Sequence, residues 1–363
     1  MKKVLATAIL LFPLFLNAQN HFEHMDSIRQ AHRIIGWSAA IITPDTILRD
    51  WGGSTRSDSM IPIQEDHYWH LGSNTKAMTA QYIQHALMVS EESLEVKFFD
   101  VFPNLKRTSK EAYYDITLQD LLSHRAGIPP FTAGLEFKSL PELKGPLFMK
   151  RWQFARHVLG MEPKFPDSKK KELYVYSNAG YVLAAMMLEG ISGFSFETFL
   201  EKSRWNDKKV KSFIGLPNRM SADQPWGHFG GDSTAYEPLN PNHSYNLPAY
   251  MAPAGGVSQT MGDYALFVQE QLDALVHEDP LYQMAHFGLE EYSLGWRHGE
   301  MEVGGSKTYY SGHDGSLGCF YTHTIIYPAK KLAVVVCANS GEANTVNGIY
   351  ALRAYLTEAY LSR

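Results

Sequence analysis

Cysteine is nearly absent from the chain, because Cys319 and Cys337 are the only two in 363 residues. Each is expected in a strand of one late hairpin, and the turn at residues 328–331 would place them diagonally across it. A disulfide is permitted in an oxidising compartment. The diagonal placement nevertheless favours two buried thiols over a bridged pair.

The chain also lacks the features of several functional classes. Its net charge is -5, so it has no basic excess of the kind that marks a nucleic-acid-binding surface. It carries no H-E-x-x-H motif, no Cys/His ligand cluster and no internal repeat. With 45% hydrophobic and 20% charged residues, the composition is that of a globular protein. The length predicts one large domain or two closely joined domains.

The apolar run at the N-terminus, residues 4–16, is too short to span a membrane. Two lysines precede it, and small and polar residues follow it, which is the layout of a secretory signal peptide. We expect a signal peptide at residues 1–19, cleaved after Ala18 or Gln19. No cysteine stands there to carry a lipid, so we expect a periplasmic or secreted protein without a stable membrane anchor.

Predicted strands occur at both ends of the chain, with predicted helices between them. The strands are expected at residues 36–42, 46–51, 294–297, 308–311, 318–327 and 332–338. We predict an α/β (α+β) fold in which residues 20–72 and 250–363 build one antiparallel sheet flanked by helices. Residues 73–249 are predicted to form an inserted, mostly helical domain. Its irregular segment 216–251 is expected to be a loop that walls the active site.

The strongest candidate for chemistry is the pair Ser73 and Lys76 at the start of a predicted helix. Residues 77–88 contain no glycine or proline and are rich in helix-forming side chains. Residues three apart share a helix face, so the serine hydroxyl and the lysine amine can meet on the first turn. A lysine whose pKa is lowered by burial can take the serine's proton and create a nucleophile. The S-x-x-K pattern is weak by itself, since residues 168–171 repeat it in a polar stretch.

Tyr176 and Asn178 form the one Y-x-N of the chain and precede another predicted helix. A phenol near a lysine ammonium has a lowered pKa, so Tyr176 is a candidate for shuttling protons. Asn178 offers a donor and an acceptor to the amide or ester group of a substrate. The alternative is a buried tyrosine followed by an asparagine that caps the helix, and the motif alone does not separate the two.

His313, Gly315 and Ser316 lie in a glycine-rich stretch at the start of a late predicted strand. Because side chains alternate along a strand, His313 and Gly315 share one face. Gly315 would let a substrate approach the strand closely. The Ser316 N–H, together with that of Ser73, would form a two-donor oxyanion hole. Three other H-x-G patterns occur in the chain, so position rather than pattern distinguishes this one.

In their order along the chain, S-x-x-K, Y-x-N and H-x-G resemble the motifs of the serine β-lactamase and penicillin-binding-protein superfamily. The resemblance is closest to its class C-like branch, which includes esterases and D-aminopeptidases. Four flanking stretches agree with it, at residues 115–129, 176–193, 252–267 and 312–318. The similarity extends over about residues 30–355. A G-x-S-x-G elbow is missing, so the α/β-hydrolase class of serine enzymes is not supported.

The resemblance implies an acyl-enzyme mechanism and a role for each motif. Ser73 would attack an acyl carbon, while Lys76 and Tyr176 would share the general-base and general-acid steps, with the first proton acceptor left open. Asn178 would hold the acyl-side amide of the substrate. No metal or other cofactor is implied. The expected partner is a small ester, amide or peptide.

His313 departs from the superfamily pattern, in which a lysine of this motif helps to bind a substrate carboxylate. An ordinary histidine is only about a quarter charged at pH 7, so we expect weak carboxylate binding and poor hydrolysis of penicillins. The predicted substrates are esters, amides or short peptides without an essential carboxylate. The alternative enzyme is a D,D-carboxypeptidase or β-lactamase acting on cell-wall peptides or antibiotics. The alternative of another class is a peptidoglycan or β-lactam sensor that does not turn over.

Three further features have interpretations of their own. His124 and Arg125 are interpreted as stabilising a turn at a helix end. Trp226 and His228 either line the pocket or simply pack, and the sequence does not separate the two. The turn at residues 252–256 shapes the chain and is a candidate for presenting backbone to a ligand. Nothing in the sequence indicates an oligomeric state.

Overall fold

The computed structural model of the protein describes residues 21–132, 134, 136–164, 174–231 and 235–362. The predicted signal peptide and the second S-x-x-K, at residues 168–171, lie outside the described residues. Within them, one large antiparallel sheet is accompanied by three small sheets and by helices on both faces of the large sheet.

The large sheet has six antiparallel strands in the order β10-β11-β12-β13-β1-β2. Its strands are β1 (Gly36–Ile42), β2 (Ile47–Gly53), β10 (Arg297–Val303), β11 (Ser306–Ser316), β12 (Tyr321–Tyr327) and β13 (Leu332–Ala338). β1 pairs with β13, so the two ends of the chain meet inside the sheet. Every residue of β1, β12 and β13 is buried because helices cover both faces. The predicted fold class, with its antiparallel sheet built from both ends of the chain, is confirmed.

Helices surround this sheet and fill the middle of the chain. The longer ones are α1 (residues 21–31), α2 (Thr75–Ser90), α6 (Leu147–Gly160), α7 (Asn178–Ser192), α10 (Met261–Val276), α11 (Pro280–Phe287) and α12 (Ala343–Leu361). The shorter ones are α3 (Phe98–Val101), α4 (Pro103–Lys106), α5 (Leu118–Leu122), α8 (Phe196–Lys202) and α9 (Ala252–Gly255). No single helix in the described part of the chain is long and apolar enough to cross a membrane. α7 and α8 pass that test only as a pair bent by 77°.

The sheet separates two hydrophobic cores, because successive side chains of a strand point to opposite faces. Ile41 and Val334 pack with Leu352 of α12 on one face. Val335 belongs to the core on the other face, together with Phe267 of α10. This second core continues into α2 and α7, so the helix that follows Ser73 is anchored against the sheet.

The hairpin of β10 and β11 is longer than the sequence predicted. β10 covers residues 297–303 and β11 covers 306–316, whereas the pattern predicted strands at 294–297 and 308–311. Gly304 and Gly305 have φ values of +57° and +70°, which is the conformation that a two-residue hairpin turn requires. As a result β11 runs unbroken from the hairpin to the H-x-G motif.

Short strands also pair between residues 68 and 260, in addition to the strands that the sequence predicted. They are β3 (Tyr68–His70), β4 (Arg204–Trp205), β5 (Lys208–Lys209), β6 (Phe213–Ile214), β7 (His228–Phe229), β8 (Glu237–Pro238) and β9 (Val257–Thr260). Strands of two to four residues show too little alternation to be recognised from sequence. The pairing of β3 with β9 matters for function, because it joins the segment that enters Ser73 to the turn at residues 252–256.

Both cysteines are buried and free. The interpretation as two buried thiols is therefore correct, although Cys319 lies in the turn before β12 rather than in a strand. Cys337 lies on β13, where its sulfur accepts a hydrogen bond from the Thr322 hydroxyl at 3.3 Å. Burial raises the pKa of each thiol to about 12.

Candidate active site

The Ser73 turn is a single 3-10 turn, Gly72–Asn74, between β3 and α2. Gly72 has a φ of +51°, and a Cβ at this position would lie 2.6 Å from the Ser316 nitrogen. Only glycine therefore allows the turn to approach β11 so closely. Asn74 is fully buried and donates to the carbonyl oxygens of Leu71 and Thr322, at 3.3 and 3.0 Å. The hydrogen bond to Thr322 thus joins the Ser73 turn to the large sheet, while the Ser73 side chain stays half-buried.

Lys76 lies one turn further along, and its side chain is completely buried. Its Nζ lies 3.1 Å from Ser73 Oγ, 2.7 Å from Asn178 Oδ1 and 2.6 Å from the Ala254 carbonyl oxygen. Burial lowers the pKa of Lys76 well below its ordinary value of 10.5. The structure therefore brings the serine, the lysine and the asparagine of the predicted motifs into one hydrogen-bonded group.

The partners of Lys76 decide what a neutral amine can do there. The carbonyl oxygens of Asn178 and Ala254 only accept hydrogen bonds, so they take both N–H groups of a neutral amine. The remaining position on Nζ, which is then a lone pair, points to the Ser73 hydroxyl. In this protonation state Lys76 can accept the serine proton directly.

The Y-x-N segment is held by hydrogen bonds on both sides. Ser177 is the N-cap of α7, because its hydroxyl accepts from the Gly180 N–H at 2.9 Å. The alternative in which Asn178 caps the helix is therefore wrong: Asn178 is the first residue of α7. Its side chain accepts from Lys76 and donates to the Phe131 carbonyl oxygen at 3.1 Å. Both ends of its amide are engaged before any substrate arrives.

Tyr176 stands beside Lys76, whose Nζ lies 4.6 Å from the centre of the tyrosine ring. The expectation of a lowered tyrosine pKa is wrong. Burial raises the pKa of Tyr176, and hydrogen bonding with Ser73 offsets this only in part. A buried lysine that is itself readily neutral supplies little positive charge to stabilise a phenolate. Tyr176 therefore stays protonated and can donate a proton or a hydrogen bond near Ser73.

His313 is 4% exposed, and both of its ring nitrogens are engaged. Nδ1 lies 2.8 Å from the Asp314 carbonyl oxygen, so it carries the proton, and Nε2 lies 3.2 Å from the Tyr292 hydroxyl. Burial is the main cause that lowers the pKa of His313 to about 3. The expected quarter charge at pH 7 is therefore too high, because this histidine is neutral.

Gly315 and Ser316 lie directly against the Ser73 turn. A Cβ on Gly315 would sit 1.9 Å from the Leu71 carbonyl oxygen, so glycine is required here for close packing with the turn rather than only for access of a substrate. The nitrogen of Ser316 lies close to Gly72, the residue before Ser73. The two-donor oxyanion hole remains a prediction, and this proximity is what it needs.

An aromatic cluster that the sequence did not reveal surrounds the Y-x-N segment. His124 contacts the rings of Tyr176 and Tyr292, with centroids 4.3 and 4.8 Å away, and its Nδ1 accepts from the Ser177 N–H at 3.0 Å. It therefore does more than stabilise a turn, although its φ of +61° places it in one. Arg125 donates to the Tyr292 carbonyl oxygen at 2.9 Å, which holds the cluster from outside.

The loop at residues 216–251 makes packing contacts and one contact with the H-x-G segment, and its role as a wall of the active site stays a prediction. His228 is fully buried: its Nε2 accepts from the Ser57 N–H at 3.1 Å, and its Nδ1 lies 2.8 Å from the Asn339 carbonyl oxygen. The packing interpretation therefore holds for His228. Trp226 packs under the Arg56 guanidinium, 4.3 Å from its ring centre. The loop reaches the H-x-G segment through Tyr245, whose hydroxyl donates to the Leu317 carbonyl oxygen at 2.7 Å.

Several residues of the site were missed because they come from distant segments. Ala254 accepts from Lys76, and the turn at 252–256 was the signal that could have identified it. Tyr292 and Arg297 carry no sequence motif. The Arg297 guanidinium packs over the rings of Tyr174 and Tyr292, at 5.6 and 5.7 Å, and stays exposed. It is an exposed cation that borders this group.

The described residues contain no group of three or more His, Cys, Asp or Glu side chains that could hold a metal ion. The groups around Ser73 are instead a buried amine, a phenol, an amide and backbone atoms. Together they place a serine hydroxyl beside an amine and a phenol, which is an arrangement chemically suited to acyl transfer.

The fold and this site belong to the class of β-lactamase-like serine enzymes, and the comparisons agree. Residues 21–356 match the family described as Beta-lactamase, and the chain belongs to that family. The resemblance seen in the sequence is confirmed.

Relatives and a solved structure are similar at low identity. Penicillin-binding protein 4 of Amycolatopsis lactamdurans is 23% identical over 338 residues, which cover 89% of this chain and 85% of that protein. Unguisins hydrolase ungD of Aspergillus violaceofuscus is 20% identical over 358 residues, which cover 87% of this chain but only 60% of that protein. The octameric penicillin-binding protein homologue from Pyrococcus abyssi matches with a TM-score of 0.67 and 21% identity, over 93% of this chain and 77% of that one. The structural match bears on the fold alone, while family and relatives support a serine hydrolase of this superfamily.

Proposed function

We propose that the protein is an exported serine hydrolase that cleaves small esters, amides or peptides through an acyl-enzyme on Ser73. The observation that carries this proposal is the set of three oxygen atoms around Lys76 Nζ. Two of them are obligatory acceptors, so an amine that burial makes readily neutral turns its lone pair to the third, Ser73 Oγ. A lone pair of Lys76 directed at the Ser73 hydroxyl is the arrangement that activates a serine as a nucleophile.

The first step is attack of Ser73 Oγ on the acyl carbon as its proton passes to Lys76. The low pKa that burial gives Lys76 makes the amine available as the base near neutral pH. Tyr176 then donates its proton to the leaving group as the bond to the acyl carbon breaks, and it regains a proton from Lys76, so both groups return to their starting states. In the second step water attacks the acyl carbon as its proton passes to Lys76, and Ser73 Oγ takes up that proton as its bond to the acyl carbon breaks. The N–H groups of Ser73 and Ser316 are the proposed donors to the oxyanion.

The substrate class follows from the neutral state of His313. A neutral imidazole with both nitrogens bonded inside the protein offers no charge to a carboxylate. Substrates without an essential carboxylate are therefore preferred, and esters and amides with short acyl groups meet this condition. β-Lactam antibiotics, which carry a carboxylate, are expected to be poor substrates.

A D,D-carboxypeptidase or β-lactamase is the second candidate, and Arg297 is the observation that favours it. Its exposed guanidinium packs over Tyr174, and its Nη2 lies 3.1 Å from the Tyr174 hydroxyl. A planar cation at the edge of the site can bind a carboxylate by two parallel hydrogen bonds. The candidate predicts that Arg297→Gln weakens hydrolysis of D-alanine-ended peptides and leaves hydrolysis of a neutral ester unchanged.

A sensor that is acylated but not turned over is the third candidate, and its motifs would be the same. A sensor and a hydrolase differ in the fate of the acyl group on Ser73. An enzyme reaches a steady state of many turnovers, whereas a sensor releases one equivalent of product and stops.

Export is part of the leading proposal, and it rests on the signal-peptide layout of residues 1–19. It is tested by the localisation of the full-length protein in cell fractions.

The deciding experiment compares parent protein and Ser73→Ala with p-nitrophenyl acetate, p-nitrophenyl butyrate and nitrocefin. We expect steady ester hydrolysis by the parent, little nitrocefin cleavage, and loss of ester hydrolysis in the variant. Fast nitrocefin cleavage would leave Ser73 as the proposed nucleophile and would indicate that the protein is a β-lactamase. A single burst would indicate the sensor. Unchanged ester hydrolysis by Ser73→Ala would refute the proposal.

A further inference from the structure

His124 lies in the turn that follows α5, and it contacts the chain on both sides of Tyr176. Its carbonyl oxygen accepts from the Val175 N–H at 2.9 Å, and its Nδ1 accepts from the Ser177 N–H at 3.0 Å. Val175 and Ser177 are the two neighbours of Tyr176 along the chain. A single residue therefore holds the backbone immediately before and immediately after the proposed proton donor.

The hydrogen bond from Ser177 defines the state of the imidazole. A backbone N–H can only donate, so Nδ1 of His124 presents its lone pair and the ring hydrogen is on Nε2. Burial lowers the pKa of His124 well below its ordinary value of 6.5, in agreement with a neutral ring. The neutral ring is thus a hydrogen-bond acceptor for the Y-x-N segment.

Tyrosine rings enclose this imidazole. The centroid of the Tyr176 ring lies 4.3 Å from that of His124, the centroid of Tyr292 lies 4.8 Å away, and that of Tyr181 lies 5.2 Å away. The His124 side chain is buried, and its Nε2 has no hydrogen-bond partner among the described residues. Within them, the bond to Ser177 is therefore the directional contact of the ring, and its packing contacts are with aromatic side chains.

The turn that carries His124 follows a helix that is held at both ends. Leu122, the last residue of α5, is fully buried, and its carbonyl oxygen accepts from the Tyr181 hydroxyl at 2.7 Å. The first turn of α5 is closed by a capping box of Thr117 and Asp120. A capped helix with a buried end therefore fixes the place from which the His124 side chain reaches the Y-x-N segment.

A different segment holds the asparagine of the same motif. The Asn178 N–H donates to the Pro130 carbonyl oxygen at 2.8 Å, and its side-chain amide donates to the Phe131 carbonyl oxygen at 3.1 Å. These bonds do not involve His124. A change of the His124 side chain would therefore remove a hydrogen bond next to Tyr176 and leave those of the asparagine in place.

We propose that His124 is a positioning residue. Through the bond between its Nδ1 and the Ser177 N–H, it holds Tyr176 where the phenol can protonate the leaving group. The inference rests on the proposed function, in which Ser73 is acylated and Tyr176 gives its proton to the leaving oxygen as the bond from that oxygen to the acyl carbon breaks. His124 itself exchanges no proton.

The leaving group decides how much this positioning matters. p-Nitrophenolate is a stable anion and leaves without a proton, whereas the alkoxide of an ethyl ester needs a proton as it leaves. Ethyl butyrate and p-nitrophenyl butyrate give the same acyl-enzyme on Ser73. The ratio of their kcat/KM values therefore reports the delivery of the proton, while a change that only loosens the fold lowers both values together.

The test measures kcat/KM of both esters for His124→Phe, His124→Asn, Tyr176→Phe and the double variant of His124→Phe with Tyr176→Phe. Phenylalanine keeps a flat ring but cannot accept a hydrogen bond. Asparagine keeps an acceptor oxygen on a short side chain and tolerates the φ of +61° at this position. The control is His67→Phe, because His67 is also buried and its Nδ1 accepts a backbone N–H, that of Gln64 at 3.1 Å. Circular dichroism checks that each variant is folded, and His124→Ala replaces the phenylalanine variant if that one does not fold.

We expect His124→Phe to lower kcat/KM for ethyl butyrate by about 10- to 100-fold and that for p-nitrophenyl butyrate by less than about tenfold, because proton delivery is impaired. His124→Asn should keep a ratio close to that of the parent. In the background of Tyr176→Phe, His124→Phe should not change the ratio further, because the group that it positions is already missing. His67→Phe should leave the ratio unchanged.

Several results would overturn this inference alone, provided that Ser73→Ala has lost hydrolysis of both esters. They are losses of equal size for the two esters in His124→Phe, equal losses for ethyl butyrate in His124→Asn and His124→Phe, and a further change of the ratio in the double variant. A parent that hydrolyses only the p-nitrophenyl ester would also overturn it, because no proton would then be delivered. Absence of Ser73-dependent hydrolysis in the parent would refute the proposed function itself, and this inference with it.

Discussion

Substituting Asn178 by aspartate puts the proposed role of Lys76 to a sharp test. The side chain keeps its shape, but its Oδ1, which lies 2.7 Å from Lys76 Nζ, becomes part of an anion. A negative charge at this position favours the protonated lysine. Since the proposed base is the unprotonated amine, the substitution should turn off the base without removing any group that it contacts.

The size of the effect follows from the distance. Two unit charges at this separation attract by roughly 6 kcal/mol at an effective dielectric constant of about 20. Burying the new carboxylate costs much of this attraction. We therefore expect the pKa of Lys76 to rise by about 1 to 3 units. At pH values below the pKa of the parent Lys76, the unprotonated fraction falls tenfold for each unit of pKa increase. At these pH values ester hydrolysis should therefore fall by about 10- to 1000-fold.

The assay is the pH dependence of kcat/KM for p-nitrophenyl acetate, corrected for spontaneous hydrolysis. In the parent, activity should rise with pH as Lys76 loses its proton, at a pH below the ordinary lysine value of 10.5. In Asn178→Asp this rise should move to higher pH by about 1 to 3 units. Asn178→Ala is the control, because it removes the oxygen without adding a charge. It should not move the rise upward.

A drop in activity without an upward shift of the pH profile would refute the reasoning, because it would assign Asn178 to substrate binding alone. The same upward shift in Asn178→Ala would also contradict it, since no charge has then been added.

Two further predictions concern packing. Gly315→Ala would push a Cβ to within 1.9 Å of a backbone carbonyl oxygen, so it should lower the free energy of unfolding by about 1–3 kcal/mol. Gly134→Ala is the matched control, because a Cβ there would meet no atom of the described residues within 4 Å. Equal urea midpoints for the two variants would be incompatible with this packing. Cys319 and Cys337 should not react with Ellman's reagent in the native protein and should both react after denaturation, because both are buried with a raised pKa; fast labelling of the native protein would show that the thiols are exposed.

The sequence predicts the part of the site whose residues lie close together along the chain. Ser73 and Lys76 are three residues apart at a helix start, so helix geometry alone brings them together. The Y-x-N and H-x-G segments come from far along the chain, and their spacing says nothing about distance. Their association with Ser73 was predictable only through the resemblance to a known superfamily.

The properties of individual groups were harder to predict, because they depend on tertiary burial. The charge of His313 is set by its burial and by its bonds to Asp314 and Tyr292, none of which is encoded in H-x-G. The same holds for the pKa of Tyr176, which burial raises although a lysine stands beside it. In the fold, the apolar runs of β1, β12 and β13 were sufficient. β10 was misplaced, because it begins where the predicted strand 294–297 ends and is formed by pairing with β11 rather than by an apolar pattern of its own.

The most direct measurement of the central claim is the mass of the protein during turnover of p-nitrophenyl acetate. Acid-quenched samples of parent, Ser73→Ala and Lys76→Met are analysed intact and after digestion. The account predicts one acetyl group on Ser73 of the parent, none there in Ser73→Ala, and acetylation slowed by about 10²–10⁴-fold in Lys76→Met, which has lost the base. An acetyl group on another residue of the parent, or equally fast acetylation of Ser73 in Lys76→Met, would contradict the account.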